Sequence, residues 1–180
     1  MPPPHPFAAD SGFVLFAMGV SGCGKSTLGS LLARDLDCPF LEGDDFHDLQ
    51  AVAKMRAGQA LDDNDRWPWL DRLAAAVGEA LASGGPVVAA CSALRRSYRD
   101  RLRAAIPAPT YFVLLDAGYE DILGRLTRRS AHYMPASLLD SQLATLERPE
   151  PDEAIFTLDA GLPPERLSQI TRDWLGERRL

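Results

Sequence analysis

The sequence predicts a three-layer α/β domain in which a five-stranded parallel sheet is flanked by helices. Five short apolar runs, rich in β-branched or aromatic residues, alternate with longer segments whose apolar residues recur at helical spacing. Strands that alternate with helices imply parallel crossover connections and a sheet that is covered on both faces. The predicted strands are 13–18, 38–41, 86–91, 110–115 and 154–159, and the predicted helices are 26–36, 67–83, 95–105, 119–129, 136–146 and 163–177.

The chain of 180 residues is long enough for one domain, which we expect to span 13–180. Residues 1–12 are expected to form a disordered, proline-rich leader, because they lack the basic and apolar regions of a signal peptide. The three cysteines are odd in number and lack metal-ligand spacing, which favours a reducing cytoplasm. The net charge of −6 argues against a general nucleic-acid or anionic-membrane surface.

The first predicted strand runs directly into the pattern Gly19-x-x-x-x-Gly24-Lys25-Ser26, which matches G-x-x-x-x-G-K-[ST]. Glycines let backbone N–H groups approach a ligand closely, and the N-terminus of the following helix favours an anion. In such a loop the lysine reaches the β- and γ-phosphates and the hydroxyl ligates Mg²⁺. A glycine-rich turn with a solvated lysine is the alternative, which the position between a strand and a helix disfavours. The motif therefore predicts that the loop binds a nucleoside triphosphate such as ATP together with Mg²⁺, with Ser26 as the metal ligand. The residues of this predicted site are Gly19, Val20, Ser21, Gly22, Cys23, Gly24, Lys25, Ser26 and Thr27.

An acidic turn, with Glu42, Asp44 and Asp45, follows the second predicted strand and so lies at the carboxyl edge of the sheet, beside the loop. In an extended segment Glu42 and Asp44 share a face. One carboxylate would hold Mg²⁺ while the other accepts the proton of an attacking hydroxyl; a solvated turn that caps the next helix is the alternative. The polar segment 43–66 is a candidate substrate lobe, and the arginine-containing segment 125–136 is a candidate lid.

The stretch LDDNDRWPWL, at 61–70, combines acids, an arginine and two tryptophans around a proline. We expect Asp65 to cap a helix whose first turn contains Trp67, Pro68 and Trp69. Arg66, beside this rigid bulk, is placed to bind a carboxylate with both arms of its guanidinium.

Five segments together resemble the small P-loop gluconokinases: GVSGCGKST, LEGDDFH, KMRAGQALDDNDRWPWL, CSALRRSYRDRLR and HYMPASLLDSQLATLERP. They run from about Phe13 to Pro149, which is most of the chain. The resemblance implies a fold similar to shikimate kinase or adenylate kinase, and transfer of the γ-phosphoryl group of ATP to the 6-hydroxyl of D-gluconate. It also implies a homodimer, whose product would enter the pentose phosphate or Entner–Doudoroff route.

The same resemblance suggests roles for individual residues. Asp44 fits the base that orients the hydroxyl, Arg66 a contact to the substrate carboxylate, and Arg125 a catalytic group in the lid. Arg128 and Arg129 fit the nucleotide phosphates. Weaker candidates for the substrate site fall in family-like motifs, namely His47, Lys54, Arg95 and Arg99.

Other functions compete with this interpretation. The chain has Asp48 and Ala51 where the family often has proline and asparagine, which leaves the exact sugar acid open. A kinase of another small carboxylate, such as shikimate, or a non-catalytic ATP-binding module are the alternatives. The single asparagine, Asn64, is followed by Asp65, so the Asn-Lys-x-Asp motif of a guanine-nucleotide switch is absent.

Overall fold

The structure is a computed structural model that describes residues 12–128 and 136–178. These residues form a five-stranded parallel sheet with helices on both faces, which confirms the predicted fold class. The strands are β1 (Val14–Met18), β2 (Phe40–Glu42), β3 (Val87–Ala90), β4 (Thr110–Asp116) and β5 (Phe156–Asp159). The helices are α1 (Lys25–Asp35), α2 (Leu49–Arg56), α3 (Asp63–Leu81), α4 (Arg96–Ala105), α5 (Tyr119–Arg128), α6 (Ala136–Thr145) and α7 (Pro164–Arg178).

The strand order is β2-β3-β1-β4-β5, with every neighbouring pair parallel. Strand β1 is central and completely buried, as its unbroken apolar run predicts. The loops that follow β1 and β3 therefore meet at the carboxyl edge of the sheet, where the Gly19 N–H donates to the Ser92 carbonyl oxygen at 3.2 Å. This is the edge at which ligands bind in open α/β sheets.

Two apolar cores, one on each face of the sheet, hold the three layers together. On one face α1 and α7 pack against β1 and β4 through residues such as Leu32 and Leu175. On the other face α3 and α4 pack through Trp69, Leu73 and Leu102. Within the described residues, no helix is both long enough and apolar enough to cross a bilayer.

The polar segment 43–66 is more regular than the sequence suggests. It contains a 3₁₀ helix (Gly43–Phe46) and α2, so the acidic turn is not extended as predicted. Helix α3 also begins a turn earlier than predicted. Its cap is Asp62, whose carboxylate accepts from the Asp65 N–H while Asp65 accepts from the Asp62 N–H. This reciprocal pairing satisfies two N–H groups that a helix start otherwise leaves open.

Candidate active site

The glycine-rich loop between β1 and α1 has the backbone that its sequence predicts. Gly19, Gly22 and Gly24 have φ angles of +139°, +82° and +105°, a region that other residues rarely adopt. A Cβ at Gly19 would lie 2.8 Å from Cys23 Sγ and 2.9 Å from the Leu115 carbonyl oxygen, so a side chain does not fit there. Backbone N–H groups thus surround the N-terminus of α1, an arrangement that suits phosphate.

Lys25 and Ser26 open helix α1 at this loop. The Lys25 ammonium donates to the Val20 carbonyl oxygen at 3.1 Å, and the Ser26 side chain is exposed. The described residues contain no group of three or more acidic, histidine or cysteine side chains placed to bind a metal. A single hydroxyl next to a phosphate loop still fits Mg²⁺, because this ion keeps several waters and takes its other ligands from substrate phosphates.

A cavity beside the loop brings together residues from seven parts of the chain; we call it the main cavity. The loop contributes Ser21 and Lys25, and the loop after β3 contributes Ser92 and Leu94. The remaining walls come from the turn after β2, the segment between α2 and α3, and helices α2, α3 and α6. The residues of these walls are Asp44, His47, Met55, Gln59, Ala60, Leu61, Arg66, Trp69, Leu138, Ser141 and Gln142.

The acidic turn places Asp44, but not Asp45, in the main cavity with Lys25. The Asp44 side chain is 76% exposed, so its carboxylate is accessible from the cavity. The turn is held against β3 by its glycine, because a Cβ at Gly43 would overlap the carbonyl oxygen of Ala90. The Trp69 indole N–H also donates to the Gly43 carbonyl oxygen at 2.7 Å.

His47 lies one 3₁₀ turn after Asp44 and faces the same cavity. Its Nε2 is 3.9 Å from an Asp44 oxygen, and its side chain is only 4% exposed. Burial lowers the pKa of His47 below its ordinary value, although the Asp44 charge opposes this shift. The imidazole is therefore neutral at pH 7. Its Nδ1 is buried and has no hydrogen-bond partner among the described residues.

Arg66 is nearly buried, and a chain of hydrogen bonds holds it at the cavity. Its Nη1 donates to the Tyr98 hydroxyl at 3.0 Å, and that hydroxyl donates to Asp63. Burial and the Asp63 carboxylate raise the pKa of Tyr98, so the phenol keeps its proton. Arg95 donates to Asp63 at 3.1 Å and lines a shallow depression next to the main cavity, which Arg66 borders as well.

Besides Arg95, two further predicted substrate residues, Lys54 and Arg99, lie outside the main cavity. The Lys54 ammonium pairs with Asp65 at 2.6 Å. Arg99 is completely buried, with its guanidinium bidentate to Glu153 at 2.7 and 2.8 Å and its Nη1 within 3.3 Å of three backbone carbonyl oxygens. The expectation that Arg99 contacts substrate is thus corrected, because all its donor groups already have protein partners.

The arginines of α5 lie on the opposite flank of the loop from Asp44. Arg125 donates to the Cys23 carbonyl oxygen at 3.3 Å and to the Ala160 carbonyl oxygen at 2.7 Å. Arg125 and Arg128 line a second cavity, together with Gly22, Cys23, Gly24, Thr27, Leu28, Ala160, Leu162, Pro164 and Leu167. Arg125 therefore does not share a cavity with Lys25 and Asp44. A catalytic role at the transferred phosphoryl group would place it with those two residues. Arg129 lies outside the described residues.

Sequence reasoning missed several residues of the main cavity. Ser92 lies two residues after the end of β3, so the rule that sites gather at carboxyl ends of parallel strands would have found it. Gln142 lies on α6 within the family-like segment 132–149, but no local pattern indicates that its side chain reaches the cavity. The departures from the family pattern have a local explanation: Asp48 caps α2 by accepting from the Ala51 N–H at 2.8 Å, and Ala51 is buried.

Comparisons with known proteins extend the likeness from the loop to most of the chain. A family described as AAA domain matches residues 14–149. Gluconokinase of Arabidopsis thaliana is 43% identical over 167 residues, which cover 86% of this chain and 88% of that protein. Gluconokinase of Gluconobacter oxydans is 45% identical over 164 residues, covering 91% and 92%. The crystal structure of a gluconokinase from Sinorhizobium meliloti 1021 has a TM-score of 0.79 at 42% identity and covers 94% of this chain and 95% of its own.

Proposed function

The chain belongs to the gluconokinase family, and we propose from the arrangement of its main cavity that it phosphorylates D-gluconate at the 6-hydroxyl with ATP. The products are 6-phospho-D-gluconate and ADP. The observation that carries this proposal is that Lys25, Asp44 and Arg66 line one cavity. A phosphate-binding cation, a carboxylate base and a carboxylate-binding guanidinium are the three groups that this reaction needs.

Asp44 orients the 6-hydroxyl and accepts its proton as the oxygen bonds to the γ-phosphorus and the bond to the β,γ-bridging oxygen breaks. Asp44 suits this role because it alone of the two adjacent aspartates lines the cavity. Arg66 binds the gluconate carboxylate with the guanidinium that Tyr98 and Asp63 hold in place. His47 lines the same cavity beside Asp44, which places it to contact the sugar chain.

Lys25 leaves the Val20 carbonyl for the phosphates when nucleotide enters the loop, and so stabilises the charge that develops during transfer. Ser26 would hold Mg²⁺, which supplies further charge neutralisation at the β- and γ-phosphates. Arg125 and Arg128 line the flank of the loop away from Asp44, which favours contacts to the rest of the nucleotide. The segment 43–66 serves as the substrate lobe and 125–136, with Arg129, as the lid.

We also propose that the protein is a cytoplasmic homodimer. All three cysteines are free, and each is buried or half-buried, as expected in a reducing compartment. Size-exclusion chromatography with light scattering measures the assembly state directly; a mass of one chain would contradict the dimer.

The test of the proposed function is an ADP-release assay with Mg²⁺–ATP and a panel of acids that includes D-gluconate, shikimate and other sugar acids. D-Gluconate should give the highest kcat/KM, and ³¹P and ¹³C spectra of the product should place the phosphate on C6. Preference for shikimate or another acid would identify a different kinase. Nucleotide binding without turnover on any acid would identify a binding module.

A further inference from the structure

The phosphate loop is hydrogen-bonded to a helix that lies 121 residues further along the chain. The Ser21 N–H donates to the Gln142 side-chain carbonyl oxygen at 2.7 Å. Ser21 is in the loop, Gln142 is in α6, and both line the main cavity. This is a short contact in a partly buried place, not a meeting of two exposed surface groups.

The contact uses a backbone N–H of the phosphate loop. A backbone N–H has one hydrogen, so the Ser21 amide can donate a strong hydrogen bond to the Gln142 oxygen or to a phosphate oxygen, but not to both at once. The loop's cation is engaged in the same way, since Lys25 donates to the Val20 carbonyl oxygen. The protein thus satisfies these two phosphate-binding groups internally.

Helix α6 is held in place close to Gln142. The Glu147 N–H, just beyond the helix, donates to the Leu94 carbonyl oxygen at 2.8 Å, and the Glu147 carboxylate accepts from the Arg96 N–H at 2.7 Å. Leu139, one turn before Gln142 on the same helix, is fully buried in the core. The Gln142 side chain therefore extends from a fixed helix to the loop, and can exchange partners by rotating its own bonds.

We propose that Gln142 is a positioning residue that competes with nucleotide phosphate for the Ser21 N–H and thereby couples nucleotide binding to acceptor binding. When a phosphate oxygen takes the Ser21 hydrogen, the Gln142 amide is released within the main cavity. There it can bind a hydroxyl of the acceptor. This inference rests on the proposed function, because it requires that the loop binds a nucleoside triphosphate and that the main cavity binds the acid.

Coupling of this kind is reciprocal. If the nucleotide frees Gln142 for the acceptor, the acceptor must strengthen nucleotide binding by the same factor. One intramolecular hydrogen bond changes an equilibrium by about 3- to 10-fold, which sets the expected size of the effect.

The experiment is isothermal titration with Mg²⁺ and the non-hydrolysable analogue β,γ-imido-ATP, with and without D-gluconate. In the wild type, gluconate should tighten analogue binding by about 3- to 10-fold. Gln142→Leu, which cannot accept the hydrogen bond, should bind the analogue alone about 3- to 10-fold more tightly and lose the response to gluconate. Gln142→Glu keeps the acceptor and adds a negative charge that repels phosphate, so it should bind the analogue at least about 10-fold more weakly.

Gln169→Leu is the matched control, because it makes the same chemical change on an exposed part of α7. It should bind like the wild type. A merely structural role for Gln142 would weaken binding in both Gln142 variants and lower their melting temperatures, whereas the proposal requires opposite shifts.

Analogue binding by folded Gln142→Leu that is unchanged or weaker would overturn the proposal. If Gln142→Leu does not fold, the Gln142→Glu variant provides the test. Analogue binding by Gln142→Glu with the affinity of the wild type would also overturn the proposal. A wild type that binds no analogue at all would instead contradict the proposed function.

Discussion

The imidazole of His47 stacks on the indole of Trp69, with ring centroids 4.3 Å apart and planes 15° from parallel. Trp69 comes from the buried face of α3 and also holds the acidic turn through its bond to Gly43. The stack therefore fixes His47 beside Asp44 and removes its ring from water. A buried imidazole resists protonation unless a carboxylate compensates, and here the Asp44 oxygen is no closer than 3.9 Å.

This burial predicts an acid-sensitive contribution to stability. Because the pKa of His47 is lowered in the folded protein, the unfolded chain binds more protons as the pH falls below about 6.5. The free energy of unfolding should thus decrease from about pH 6.5 downward, through the lowered pKa, by at most about 1.4 kcal/mol per pH unit for this one group. His47→Phe keeps an aromatic ring but cannot titrate, so its melting temperature should fall less steeply between pH 6.5 and 5. Parallel pH profiles for the two proteins would show that His47 titrates normally.

Asp44 and Asp45 should differ sharply in their effect on catalysis. Asp44→Asn keeps the size of the side chain but cannot accept a proton, so kcat should fall about 10²- to 10⁴-fold while Mg²⁺–ATP binding changes little. Asp45→Asn, outside the main cavity, should reduce kcat far less. Steady-state kinetics and titration calorimetry on both variants make the comparison. A reversed pattern would assign the base to Asp45.

Arg66→Lys should separate substrate binding from chemistry. Lysine keeps the charge but loses the fork that grips a carboxylate with two hydrogen bonds, so KM for gluconate should rise about 10-fold or more. Tyr98→Phe, which removes the hydroxyl that Arg66 donates to, should raise the same KM to a smaller extent. A kcat loss without a change in KM would instead place Arg66 at the transferred phosphoryl group.

Replacement of the loop lysine should abolish turnover. Lys25→Ala removes the cation that reaches the phosphates where charge develops, a contribution of several kcal/mol, so kcat/KM should fall by about 10³-fold or more. The same assay should show no activity without Mg²⁺, as EDTA treatment and re-addition of the metal would reveal. Near-normal turnover in Lys25→Ala would exclude the proposed role of the loop.

Arg99→Met should act on stability and not on substrate affinity. The change removes the bidentate partner of the buried Glu153 carboxylate, and loss of such a partner typically costs about 3–5 kcal/mol. Arg101→Met is the control, because the Arg101–Asp71 pair is exposed and should matter much less. Denaturant unfolding gives both values. A raised KM for gluconate in folded Arg99→Met would restore Arg99 as a substrate residue.

Local chemistry in the sequence determined the fold class and the phosphate loop. The buried run of β1 needs no distant information, and the three loop glycines are required by positive φ angles within the loop itself. The apolar spacing of α7 likewise identifies a helix and its buried side. The sequence alone misplaces the start of α3, because several neighbouring aspartates could each serve as its N-cap. In the structure Asp62 is the N-cap, and Asp65 bonds back to the Asp62 N–H.

Only the tertiary structure decided which side chains share a cavity. Arg66 and Arg99 both lie in motifs beside aromatic residues, yet one faces the main cavity and the other is enclosed with Glu153. Ser21 meets Gln142 because strand order brings the loop after β1 next to the segment that anchors α6. Helix and turn formation depend on neighbours a few residues away. The partner of a side chain instead depends on how the strands are arranged and on which faces of the helices cover them. That information is spread over the whole chain.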